Sequence, residues 1–223
     1  MKLSEATINV LKNFSTINTG LVFKQGNVLR TISKGQTVLA KATIPDSFDH
    51  EFTIYDLNRF LSLIGTLDLP ELAFKEGEKT IKVVSGKSKT TYGLSDESMV
   101  VAPPAKDIKI ENPEVSFILT KDDLAQVLQM AGILGLPNIA LRGDRNKMTL
   151  VALDVKNVDS DVFSVEVGTT TAEFEALFVT ENLKMVPADY NVTISFKGIS
   201  HLKHTTEPIE YWLVLEPKSN HAE

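Results

Sequence analysis

Four groupings in the chain carry the residue types from which reactive or ion-binding sites are built. Ser85-Gly86-Lys87-Ser88 has the tail of a phosphate-cradling loop. The glycine that must begin such a loop would fall at Ile81, and the segment lies between strands rather than ahead of a helix, so the backbone cradle cannot form. His201 and His204 suggest a metal pair, yet on a strand they point to opposite faces, and no cysteine or acidic cluster accompanies them; they read as surface histidines. Asp122 and Asp123 stand at a helix start, where carboxylates serve the helix dipole. Asp159 and Asp161 flank a strand without an evident partner, and no Gly-x-Ser-x-Gly nucleophile turn occurs. These residues favour a non-enzymatic protein with no catalytic site, no cofactor, no metal and no small-molecule substrate.

The whole chain is consistent with that. It has 223 residues, 43% of them hydrophobic, enough for one large or two modest domains. No apolar run reaches the roughly 18 residues of a membrane span. The start, MKLSEATINVLKNF, is polar-interrupted where a signal peptide would be apolar. There are 0 cysteines, which excludes disulfides and thiolate metal sites and suits a reducing cytoplasm. Lys+Arg 23 against Asp+Glu 29 gives a net charge of -6. That balance argues against a protein that coats nucleic acid over its whole surface, but not against one whose positive charge is confined to one face.

The strongest organising signal is a repeat. DLNRFLSLIGTLDLPELAFKEGEKTIKVV (56–84) recurs without a gap as DLAQVLQMAGILGLPNIALRGDRNKMTLV (123–151). Identical pairs include Leu57/Leu124, Gly65/Gly132, Leu69/Leu136 and Pro70/Pro137. Each copy runs from an acidic helix start through an apolar stripe to a glycine, Leu-Pro and alternating strands, so a structural unit is repeated.

In chain order, 4–14 reads as a helix capped by Ser4, burying Ile8, Leu11 and Phe14 and exposing Asn9 and Lys12. Alternating strands follow at 21–26, 27–33, 37–44 and 50–55. A helix over 56–64 buries Leu57, Phe60, Leu61 and Ile64, and strands are expected at 72–75, 80–84 and 90–94. The Pro-rich stretch 101–113 is the domain boundary. Beyond it lie a strand at 116–119, a helix over 120–131 capped by Thr120, strands through Asp154, at 161–167 and at 173–179, a short capped helix over 180–186 stopped by Pro187, and strands at 190–197 and 208–215. The chain thus divides into four half-units of strand, helix and three strands, paired into two similar α+β domains, 1–102 and 114–223, with 103–113 as connector.

These motifs resemble a known family. Leu11-Lys12-Asn13-Phe14-Ser15-Thr16-Ile17-Asn18 with Gly20, Ile54-Tyr55-Asp56-Leu57-Asn58 with Phe60-Leu61, and Val100-Val101-Ala102-Pro103 are similar to the sliding clamp of T-even-type bacteriophages, a DNA polymerase processivity factor. Lys184-Met185, Pro187 and Tyr190 look like its closing half-domain. The similarity covers essentially the whole chain, closely in the first half and more by pattern in the second. It implies the DNA-clamp fold, with three subunits closing a ring around duplex DNA, helices lining the hole and sheets forming the rim.

The resemblance also implies roles. A sliding ring reads no bases and needs only a positive lining. Lys12, Arg59, Lys121 and Lys184, one on each expected helix, are its candidates, with Lys2 as a further contributor. By the family's topology the subunit interface falls on edge strands at 87–94, with Lys87, Thr90, Tyr92 and Leu94, and at 160–167, with Phe163, Val165 and Val167. A partner's tail peptide would dock at Val101, Pro103, Ile108 and Ile110 of the connector and at Trp212 on the last strand. The implied partners are duplex DNA without sequence preference, a DNA polymerase, a clamp-loader ATPase and two further copies of the chain, in the cytoplasm of an infected bacterial host. Two other readings remain open from the residues: a structural phage protein that assembles through the same edges, and an enzyme with an unrecognised acidic site.

Overall fold

The structure, a computed structural model, describes residues 1–74 and 77–222. The chain forms two compact units, Met1–Lys106 and Asp107–Glu223. Lys75, the expected end of a strand, lies outside the described residues.

The first unit runs α1 (Glu5–Ile17), β1 (Leu21–Phe23), β2 (Gly26–Ile32), β3 (Val38–Phe48), β4 (Phe52–Ile54), α2 (Leu57–Gly65), β5 (Glu71–Ala73), β6 (Thr80–Ser85) and β7 (Ser88–Gly93). β1 pairs with β4, β2 with β3, and β5-β6-β7 form a three-stranded antiparallel sheet. Both helices begin where a side chain satisfies the first free N–H groups. Ser4 Oγ accepts from Thr7 N at 3.2 Å, and Asp56 Oδ1 accepts from Arg59 N at 2.9 Å. α1 turns Val10, Leu11, Phe14 and Ile17 inward; Ile8, expected in that stripe, is only half-buried. Phe23 stacks on Phe52 at 4.4 Å and meets the edge of Phe48 at 5.0 Å, an aromatic cluster beneath β1 and β4.

The second unit runs β8 (Val115–Leu119), α3 (Lys121–Leu134), β9 (Asn138–Asp144), β10 (Lys147–Leu153), β11 (Phe163–Thr169), β12 (Glu173–Val179), β13 (Tyr190–Ser195), β14 (Ile199–His204), β15 (Ile209–Val214) and β16 (Asn220–His221). One sheet has the order β11-β10-β9-β12-β16, and a second contains β15-β14-β13-β8 in succession. α3 packs on β9, β10 and β11. Thr120 caps it, and Gly135 ends it in the left-handed region at φ 66, where a side chain would be strained.

The fourth expected helix does not form. Thr180–Asn182 is a single 3-10 turn, with no side-chain cap. Thr180 spends its polar groups elsewhere: its N–H donates to the Pro137 carbonyl at 2.9 Å and its hydroxyl to the Leu136 carbonyl at 3.0 Å. Pro187, lacking an N–H, blocks continuation. The strand-helix-three-strand half-unit is otherwise visible three times, the first copy without its leading strand.

Candidate nucleic-acid interface

The expected lining residues are all exposed, but their settings differ. Lys12 on α1 and Lys2 ahead of it come together with Glu5, Ile8 and Asn9 on one wall of a groove of about 400 Å³, whose other wall is Leu61 and Ile64 of α2. Lys2 lies 3.4 Å from Glu71, so part of its charge is already answered. Arg59 stands on the outer face of α2 with Asn58 and Ser62. Lys121 is the first residue of α3, with the carboxylates of Asp122 and Asp123 beside it and its N–H donating to Asp189 Oδ1 at 2.7 Å. Lys184 follows the 3-10 turn and therefore lies on no helix, a correction to its expected place. Three of the four principal cations thus occupy exposed helical positions.

The two expected edge strands are terminal strands of their sheets. β7 closes the sheet β5-β6-β7, and β11 the sheet β11-β10-β9-β12-β16. On β7, Thr90 and Tyr92 are half-buried, whereas Lys89 and Thr91 are exposed. Tyr92 is committed inside its own subunit: its ring meets the Phe60 ring at 5.2 Å and its hydroxyl donates to the Asp56 carbonyl at 2.8 Å. Lys87 lies in the hairpin turn and Leu94 just past the strand. On β11, Phe163, Val165 and Val167 are half-buried on the face that α3 covers, while Ser164 and Glu166 point out.

Of the expected docking residues, Ile108 and Ile110 are half-buried and belong to the second unit, as does Trp212; Val101 and Pro103 belong to the first. Trp212 is only 3% exposed, and its indole N–H donates to the Ile108 carbonyl at 3.0 Å. It pins the Ile108 backbone from below rather than forming an open pocket wall. His201 stacks on it at 4.6 Å and reaches Glu210 at 2.9 Å. His204 Nδ1 accepts from Thr206 N and Glu207 N at 3.1 and 3.0 Å. Both histidines serve local structure instead of standing as loose surface groups. Among the described residues no group of three or more His, Cys, Asp or Glu is arranged to hold a metal, and no helix is long and apolar enough to cross a membrane.

Sequence reasoning named Asn18 and Gly20 in a motif but missed the contacts by which they and Asp46 hold the motifs together. Asn18 is buried; its amide donates to the Ile32 carbonyl at 2.9 Å and the Val101 carbonyl at 3.4 Å, and its Oδ1 accepts from Gly20 N at 3.1 Å. A Cβ on Gly20 would lie 2.6 Å from Val100 Cγ2. Asp46 Oδ2 accepts from both the N–H and the hydroxyl of Ser4 at 2.8 Å, tying the start of α1 to β3. Burial pushes that carboxyl up, but hydrogen bonds from Thr7 and Ser4 outweigh it and hold the group below its ordinary value. The signals were an Asn two residues before a Gly and an Asp inside a strand, both too local in appearance to reveal partners 14 to 83 residues away.

Comparison with known proteins gives the family and the fold. The profile of the family described as "DNA polymerase processivity factor" matches residues 2–102, and that described as "gp45 sliding clamp, C terminal" matches residues 116–217. The sliding clamp of Vibrio phage KVP40 is 35% identical over 222 residues, covering 97% of this chain and 99% of the relative. That of Enterobacteria phage T4 is 29% identical over 228 residues, 99% of each. Among solved structures, A. fulgidus PCNA, determined with the C-terminal region of FEN-1 bound, superposes with a TM-score of 0.68 at 17% identity over 96% of both chains. The fold is accordingly the α+β DNA-clamp fold, and the chain belongs to the sliding clamp family of T4-like phages, the DNA polymerase processivity factors.

Proposed function

We propose that three copies of this chain close head to tail into a ring around duplex DNA and tether the replicative polymerase without catalysing a reaction themselves. The observation that carries this is that each unit has a terminal strand at the expected place: besides β5 and β16 at the other ends of these sheets, β7 ends the sheet in one unit and β11 the sheet in the other. An edge strand presents unpaired N–H and C=O groups that invite another chain. Two different edges on one subunit produce a heterologous contact, which yields a closed ring when the rotation closes. Residues 103–113 serve as connector between the domains 1–102 and 114–223.

In that ring Lys12, Arg59 and Lys121 supply the lining, with Lys2 and Lys184 as minor contributors. Exposed cations on helices meet phosphates through counterion release and read no sequence, as sliding demands. The net charge of -6 keeps DNA away from the rest of the surface. A closed ring cannot thread onto DNA without an accessible end, so an ATP-driven loader must open it, in the cytoplasm of the infected host. Ile108, whose carbonyl Trp212 holds, and Ile110 are the connector residues to which a partner's tail peptide would dock; A. fulgidus PCNA with the C-terminal region of FEN-1 bound shows a partner's C-terminal segment held by a protein of this fold.

Sedimentation equilibrium tests the ring, with an expected mass about three times the 24.6 kDa subunit. Adding the protein and a loader to a primed circular template should lengthen polymerase products. A monomer at micromolar concentration that leaves product length unchanged refutes the proposal.

A further inference from the structure

The groove between α1 and α2 holds about 400 Å³, and Leu3, Ile8, Leu61, Ile64, Leu69 and Leu72 make most of its lining apolar. A space of that size and character is built like a binding site. Leu69, on its rim, holds φ at 45, a strained value for a leucine, and is nevertheless 71% exposed. Its repeat partner Leu136 leaves the left-handed bend to Gly135 and is 5% exposed. Strain that gains no burial within the chain marks a position used for contact with something else. Gly65, the last residue of α2, also lines the groove. It has neither a left-handed backbone nor a close neighbour, since a Cβ there would meet nothing within 4 Å. A glycine weakens its helix, so its effect here is to keep the groove wall low.

The rim has a polarity. Glu5 and Lys12 line the groove from the same helix, seven residues and so about 10.5 Å apart along its axis. Among the described residues neither has an ion-pair partner in its own chain, whereas Lys2 lies 3.4 Å from Glu71. A helix laid antiparallel to α1 meets a cation first and a carboxylate two turns later. That order suits the dipole of the incoming helix, which favours an acid in its first turn, beside Lys12, and a base in its last, beside Glu5. Side chains three and four residues after that acid then fall over the apolar floor, the spacing by which a helix seats in a groove.

We propose that this groove docks an amphipathic helix of a partner protein, in which an acid at one position is followed by bulky apolar residues three and four positions on and a base seven positions on. Because Lys12 is also a lining cation, the docked helix and duplex DNA are alternatives, so the partner holds the clamp only while it is off DNA. Docking itself needs a single subunit; the alternation with DNA rests on the ring reading.

The probe is an acetylated, amidated peptide, SAEAALLAAKAA, titrated into the full chain with methyl-labelled Leu and Ile and followed by NMR. Saturable shifts should map to Ile8, Leu61, Ile64 and Leu69, with a Kd on the order of 100 µM. The charge-reversed peptide SAKAALLAAEAA should bind about tenfold more weakly, and E5K/K12E should invert that preference. The peptide SAEAAAAAAKAA, without leucines, should not bind. G65L, which plugs the groove without meeting its own chain, should weaken binding at least about tenfold while circular dichroism shows the fold unchanged. Shifts elsewhere, equal affinity for the two charge orders, or a folded G65L that binds like wild type overturns the docking site. Equal binding to free clamp and to clamp loaded on a nicked circle overturns the alternation with DNA and leaves the docking site standing. A chain that binds the peptide but is monomeric by sedimentation overturns the ring reading alone.

Discussion

Replacing Lys12, Arg59 and Lys121 together by alanine separates the lining from the rest of the molecule. Each side chain is exposed, and Arg59 contributes to its helix cap through its backbone N–H, which alanine retains. Each substitution should therefore change folding stability by less than about 0.5 kcal/mol. None touches β7 or β11, so assembly should persist. In a trimer the variant removes nine cations. A duplex inside a wider hole meets the lining on one side at a time, so about three phosphate contacts are lost, and the slope of log retention against log salt falls by about 2.7. A fourfold change in salt, from about 50 to about 200 mM, should then alter the ratio of wild-type to variant retention by about 40-fold, with the larger defect at low salt. The assay is the half-life of loaded clamp on a nicked circle at several salt concentrations, repeated on two unrelated sequences, between which no difference is expected because base edges are not read. Parallel slopes for variant and wild type would refute the lining assignment even with the ring intact.

Three further outcomes follow from the packing. Trp212→Phe keeps an aromatic side chain but removes the N–H that bonds the Ile108 carbonyl and leaves a void where the indole packs, which should cost about 1–3 kcal/mol and speed hydrogen exchange around 108–110 at least about fivefold. Gly20→Ala places a Cβ 2.6 Å from Val100 Cγ2 and 3.3 Å from the Tyr55 carbonyl oxygen; about 1–3 kcal/mol should be lost, with partial recovery on adding Val100→Ala, read from urea midpoints. Burial raises the Tyr211 hydroxyl to about 12 and that of Tyr190 higher still, favouring the neutral forms in the folded protein. Their contribution is complete below the unfolded value near 10 and is lost as pH climbs toward the folded values, so the urea midpoint should fall between pH 10 and 12, and less steeply in Tyr211→Phe.

Local determinants were open to reading from the residue order, and tertiary ones were not. Ser4, Asp56 and Thr120 were recognisable as helix starts because a cap is a contact across three residues. The repeat was open to reading because patterning repeats when packing does, and the chain does fall into two compact units, Met1–Lys106 and Asp107–Glu223. Thr180 has the same local credentials as Thr120, but its hydroxyl goes to Leu136, 44 residues away, and the helix is replaced by a turn. Leu69 and Leu136 are identical in the repeat, yet Leu136 is 5% exposed and Leu69 71%. In one copy Gly135 takes the left-handed bend at φ 66; in the other Asp68 stands at that position and the bend falls on Leu69 itself, at φ 45. The amino-acid order alone therefore determined where elements start, alternate and repeat, because those rest on neighbours within a turn or a pleat. Which strands stay unpaired and which charges lie beside them was determined only in three dimensions, because an edge is defined by the absence of a neighbour, and no residue encodes that by itself.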